Sequence, residues 1–187
     1  MQRSVLSMIA TFAIAGSAGA GETVSLYFDA DRDFARTGQV VTWTVYASFT
    51  GFGGTAYVGG LVGNAFVDDG VARVVGYENL MAGEGTPPMM NGPRLEGINI
   101  FNAALLGTDD PSNPLAIFRV STEVQQATLL TMDAEGIFSM FPDDGVFTLP
   151  IEYTGFEVFS DAVNLPAPGV ALTFAGWLGL TTGRRRR

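Results

Sequence analysis

Along 39–49 the chain reads QVVTWTVYASF, and every second side chain is apolar on one side. Val41, Trp43, Val45, Ala47 and Phe49 share one face, and Val40, Thr42, Thr44, Tyr46 and Ser48 share the other. Side chains alternate across a strand, so this period of two predicts a strand with one buried face and Trp43 in the core. Residues 23–28 repeat the pattern, with Val24, Leu26 and Phe28 set against Thr23, Ser25 and Tyr27. Phe147, Leu149, Ile151 and Tyr153 also share a face. Weaker strand patterns cover 56–67, 71–77, 98–101, 115–122, 127–132 and 155–159. The tripeptide DDG at 68–70 and again at 143–145 supplies Asp and Gly for tight turns, which predicts a hairpin at each place. Gly- and Pro-rich stretches at 83–94 and 108–114 read as loops. Residues 97–107, GINIFNAALLG, also fit a short helix, weakened by Asn99 and Asn102.

About eight or nine short strands separated by turns predict an all-β fold, an antiparallel β-sandwich. The Val/Trp/Phe faces would be buried between two sheets and the Thr/Tyr faces would meet water. DDGV and TGF each occur twice, at offsets of 75 and 104 residues, so no fixed repeat exists.

Composition removes many chemistries. The 187 residues include no cysteine and no histidine. Disulfide frameworks, thiolate nucleophiles, the Ser-His-Asp triad and the usual zinc ligands are thereby excluded. Between residues 22 and 161 lie five arginines and all 19 acids, a net −14. Such a surface repels phosphates, so nucleic acid is not a partner. The acidity reads as a solubility device, with cation-bridged contact to acidic polysaccharide as the other reading.

The remaining candidates are carboxylates. Asp29, Asp31 and Asp33 sit at alternate positions in DADRD, where calcium wants oxygen ligands close together. An EF-hand loop needs Gly at its sixth position and Glu at its twelfth, and here Phe34 and Val40 stand there. A polar loop with Arg32 and Arg36 pairing nearby acids is the simpler reading. The pairs Asp68–Asp69, Asp109–Asp110 and Asp143–Asp144 lie in turns, whereas glycosidase carboxylates converge from separate strands. Trp43 and the tyrosines could stack on sugars, but alternation assigns Trp43 to the core. The chain reads as non-enzymatic, with no cofactor and no metal or catalytic residue.

The two ends carry addresses. Residues 1–20, MQRSVLSMIATFAIAGSAGA, combine Arg3, an apolar stretch at 5–15, and Ala18 and Ala20 at the −3 and −1 positions of a cleavage site. This is the secretory pattern, with cleavage expected after Ala20. An uncut anchor is disfavoured because a span takes about 20 residues. At the other end, 165–187 reads LPAPGVALTFAGWLGLTTGRRRR. Its apolar run has no polar face, which disfavours a core helix, and counted from Leu165 it is long enough for about 28 Å of helix. Four terminal arginines would hold the tail on the cytoplasmic side before processing. The domains expected are a signal peptide at 1–20, an extracytoplasmic β-sandwich at 21–161, and a linker, motif, transmembrane helix and arginine tail at 162–187.

Pro166-Ala167-Pro168-Gly169, a short apolar run and Arg184, Arg185, Arg186 and Arg187 at the last residues resemble the PEP-CTERM sorting signal of exported bacterial proteins. Ala167 stands where that family has glutamate. The resemblance implies the membrane and an exosortase, a membrane cysteine protease, as partners, and a cell-surface or exopolysaccharide-associated location. The middle of the chain resembles cohesin-like extracellular modules, with a G-x-x-x-x-x-x-V strand from Gly38 to Val45. The function expected is an exported, non-enzymatic cell-surface or extracellular-matrix protein. The alternative is a secreted carbohydrate- or calcium-binding module.

Overall fold

The computed structural model describes residues 21–51, 56–102, 112–126, 128–142 and 151–165. The signal-peptide residues Ala18 and Ala20, the Pro166–Gly169 motif, the apolar run and Arg184–Arg187 lie outside them. Among the described residues no helix is long and apolar enough to cross a membrane.

The described chain forms thirteen strands. They are β1 (Thr23–Ala30), β2 (Val40–Thr50), β3 (Ala56–Phe66), β4 (Ala72–Asn79), β5 (Gly83–Glu84), β6 (Met89–Asn91), β7 (Arg94–Phe101), β8 (Leu115–Val124), β9 (Leu129–Leu130), β10 (Asp133–Pro142), β11 (Ile151–Tyr153), β12 (Glu157–Ser160) and β13 (Val163–Asn164). A five-stranded sheet runs β12-β1-β2-β8-β4, and a six-stranded sheet runs β11-β10-β3-β7-β5 with β6 also on β7. β9 and β13 form a small third sheet. Between the two large sheets lies a contiguous apolar core.

The alternation in β1 and β2 does what it predicts. Val24, Leu26, Phe28, Val41, Trp43, Val45 and Ala47 are buried, and the Thr/Tyr side of β2 faces out. Phe28 meets Phe118 edge to face at 6.4 Å, a geometry that adds about 0.5–1.5 kcal/mol beyond the area buried. The indole Nε1–H of Trp43 donates to Thr122 Oγ1 at 3.0 Å. Thr122 is fully buried, so this bond satisfies two groups that water cannot reach.

Several expectations change. The pairing is mixed, because β12 lies parallel to β1, with Ser25 opposite Glu157 and Phe28 opposite Ser160. The DDG at 68–70 makes no hairpin. β3 is already flanked by β10 and β7, so no place beside it is open, and the chain crosses to β4 in the other sheet. Residues 98–101 are strand, as one of the two readings of that stretch has it, and the helix reading fails there, while among the described residues of 128–132 only Leu129–Leu130 is strand. The segment Asp133–Pro142, which carries no strand prediction, is β10, and it pairs with β3 and β11.

β3 and β10 approach unusually closely where Gly63 faces Gly136. A Cβ at Gly63 would lie 2.1 Å from the Glu135 carbonyl oxygen, and one at Gly136 would lie 2.3 Å from that of Val62. Only glycine fits at either position.

At the lateral openings, tyrosines from one sheet meet acids from the other. The Tyr153 hydroxyl on β11 donates to the Glu22 carboxylate just before β1. Burial, then Glu22, push its pKa up to about 12. Opposite, Tyr77 on β4 faces Glu84 on β5, and burial followed by the carboxylate raises the phenol well above its usual value. Neither the Tyr77 hydroxyl nor Glu84 Oε1 makes a well-aligned hydrogen bond, so this seam is the weaker of the two.

Candidate functional site

The outward faces of the two sheets differ in chemistry. On the five-stranded sheet the outward residues are mostly hydroxyl-bearing or charged, and they pair with one another. Arg73 binds Glu123 at 2.7 Å, Arg119 binds Glu78 at 2.8 Å, and Thr42 and Ser121 bridge at 3.3 Å. Tyr27 stacks on Phe159 at 5.2 Å.

On the six-stranded sheet the outward face carries large apolar side chains with no covering layer among the described residues. Val62 on β3 stands directly opposite Ile137 on β10, and Asn99 on β7 flanks Val62 on its other side. Val62 is 55% exposed, Ile137 40% and Phe101 43%. Phe101 and Ser139 both pair with Gly60, which puts them one row along the same face. The Phe101 ring leans over Gly83, where a Cβ would come within 2.2 Å of a ring carbon, so glycine is what lets the ring lie down. Half-buried Tyr57 and Phe141 pair further along β3 and β10.

A polar clamp closes one end of this patch. Asn64 donates from Nδ2 to Glu135 at 3.1 Å and accepts at Oδ1 from the Gly97 N–H at 3.0 Å. Arg94 donates to Glu135 at 2.7 Å, reaches Glu96 at 3.6 Å, and lies 4.7 Å above the Phe66 ring. These bonds fix Arg94 and both carboxylates, so the patch is preorganised and its rim is acidic and polar. Apolar centre and polar rim are the anatomy of a protein-docking face.

The sequence candidates fall elsewhere. Asp31 is held by Arg32 at 2.7 Å and by the Thr42 N–H at 3.1 Å, and these bonds lower its pKa against the opposing effect of burial. Among the described residues no three acidic side chains gather as a metal site requires. Asp68 and Asp69 lie in an exposed turn, while Asp109, Asp110, Asp143 and Asp144 lie outside the described residues. Trp43 is in the core and unavailable to a sugar. Val62, Ile137 and Phe101 were not candidates. Their signal is an apolar residue at an outward parity of its strand, legible only once the inward face is known.

No family model and no curated protein matches the sequence. Among solved structures, the cohesin module of a family 33 glycoside hydrolase from Clostridium perfringens superposes with a TM-score of 0.53 at 10% identity, over 79% of this chain and 100% of that one. The seventh ScaB type I cohesin of Pseudobacteroides cellulosolvens gives 0.52 at 15% identity, over 79% and 94%. A type II cohesin of Acetivibrio cellulolyticus, solved in a cohesin–X-dockerin complex, gives 0.51 at 15%, over 76% and 99%.

Proposed function

The fold is that of a cohesin-like β-sandwich, and from it we propose that this chain is an exported, non-enzymatic cell-surface or extracellular-matrix protein whose sandwich docks a protein partner. The docking face is the outward side of the six-stranded sheet. The observation that carries the reading is the Val62–Ile137–Phe101 patch, uncovered and rimmed by clamped polar groups. The cohesin solved with its X-dockerin partner supports a docking role for this kind of sandwich. The absence of histidine and cysteine from the sequence supports a role without catalysis.

Residues 166–187 act in this reading as a PEP-CTERM-like sorting signal. They hold the exported domain at the membrane until an exosortase-type protease processes them.

Two experiments test the two halves. A photo-crosslinking residue at Val62 in the native host should trap one discrete partner, while the same residue at Thr44 on the opposite face should trap none. Equal labelling from both positions overturns the docking face. Replacing Arg184–Arg187 by serine should impair retention or maturation, read by cell fractionation and intact mass. Unchanged location and mass overturn the sorting signal.

A further inference from the structure

The small third sheet lies at the pole of the sandwich where the described chain ends. Phe34 bridges Asn164 in parallel, and Asn164 in turn pairs with Leu129 on β9. Phe34, Asn164 and Leu129 therefore form one row across three adjacent segments, and cross-strand partners point to the same side. Beneath the row, Ala35, Leu130 and Val163 are buried at 0% exposure. Above it, Phe34 is 50% exposed and Leu129 54%. Two large apolar side chains thus flank the strand that leads out of the domain.

The exit is rigid. The Asn164 N–H donates to the Asp33 carbonyl at 3.0 Å, and the Asn164 carbonyl accepts from Ala35 N–H at 3.1 Å. Leu165 is only 8% exposed, so the chain is fixed up to Leu165. The apolar run of the C-terminal segment begins at Val170, five residues on. Five residues span at most about 17 Å even when fully extended. That is about half the length of an eleven-residue strand such as β2, roughly 36 Å. A chain anchored by this run cannot hold its sandwich far from the bilayer, and the pole that must approach is the one bearing Phe34 and Leu129.

We infer that this pole rests on the lipid bilayer, with Phe34 and Leu129 entering the boundary between headgroups and acyl chains. The inference rests on the membrane-insertion part of the function proposed above. The charge at this pole selects the lipid. Asp31 is neutralised by Arg32, but Asp68, Asp69, Asp133 and Asp161 outnumber Arg36. The contact is therefore apolar, and it favours zwitterionic over anionic headgroups.

The chain contains no cysteine, so single cysteines report without background. The full chain carrying Phe34→Cys, Leu129→Cys or, as a control, Thr44→Cys would be spin-labelled and reconstituted into phosphatidylcholine vesicles. Labels at 34 and 129 should collide several-fold more with dissolved oxygen than with a water-soluble nickel chelate, and the label at 44 should show the reverse. If the chain floats with vesicles but labels 34 and 129 behave like 44, the resting pole is overturned and insertion stands. If the chain does not float, insertion fails and this inference falls with it. If labels 34 and 129 are equally shielded without vesicles, the row is covered by the chain's own tail or by a second copy, which also overturns it. Should one variant misfold, the other position carries the test alone.

Discussion

Replacing Thr122 by valine isolates the buried bond between β2 and β8. The two side chains have the same shape, so packing around position 122 is kept while the acceptor for Trp43 Nε1–H disappears. Trp43 is fully buried, and its N–H then has no route to water. An orphaned buried donor costs about 1–3 kcal/mol, and exchanging hydroxyl for methyl recovers about 0.8 kcal/mol. The expected net loss is ~1.2 kcal/mol, the difference of these two effects at the middle of the range. In a domain of roughly 140 residues the unfolding entropy is about 0.3 kcal/mol/K, so Tm should fall by about 4 °C. Circular dichroism melts and urea titrations of wild type, Thr122→Val, Trp43→Phe and the double variant would measure it. The double variant should lose about 1 kcal/mol less than the sum of the singles, because neither orphan remains. An unchanged Tm in Thr122→Val, or energies that add to within about 0.3 kcal/mol, would refute the claim that this bond satisfies both groups.

Gly63→Ala places a methyl against the Glu135 carbonyl and should cost more than about 2 kcal/mol or prevent folding, whereas alanine at Gly155, which has open space, should cost less than about 1 kcal/mol by urea titration. Tyr153 keeps its proton in the folded state up to about pH 12, so its contribution is complete below its unfolded pKa near 10 and lost as pH rises from there through 12. Stability measured between pH 9 and 12 should therefore fall less steeply in Tyr153→Phe than in wild type. Ile137→Asp changes an exposed residue beside Val62 and should move Tm by less than about 2 °C while abolishing the crosslink expected from position 62.

The legible parts of the fold are those where each strand face is chemically pure. β1 and β2 place every inward residue at one parity and hydroxyl-bearing residues opposite, so both strands and the burial of Trp43 follow from the alternation. β10 defeats the same reading for two reasons. Its inward side includes small residues, Ala134 and Gly136, and its outward side includes Ile137 and Phe141, so the period of two vanishes. The start of β7 fails for another reason. Leu95 and Ile98 both point inward although they stand three positions apart, because an irregularity opposite Asn64 absorbs the extra residue. The exposed apolar patch was illegible for the reason β10 was: an apolar side chain on the wrong parity hides the strand and is also what makes the surface. The mixed pairing of β1 with β12 joins residues more than 130 apart, a distance over which no local pattern acts.

That parallel pairing sets how the domain would carry a load. β1 is entered at one pole, and the chain leaves β12 toward the opposite pole, where β13 and Leu165 lie. A partner or neighbour pulling on the N-terminal end, against an anchor at the other, would draw β1 and β12 past each other along their length. Hydrogen bonds between them lie across the direction of pull, so the four register pairs and the Tyr27–Phe159 stack must yield together rather than one at a time. A sandwich closed by an antiparallel terminal pair would peel open from its end. This one resists as a lap joint does.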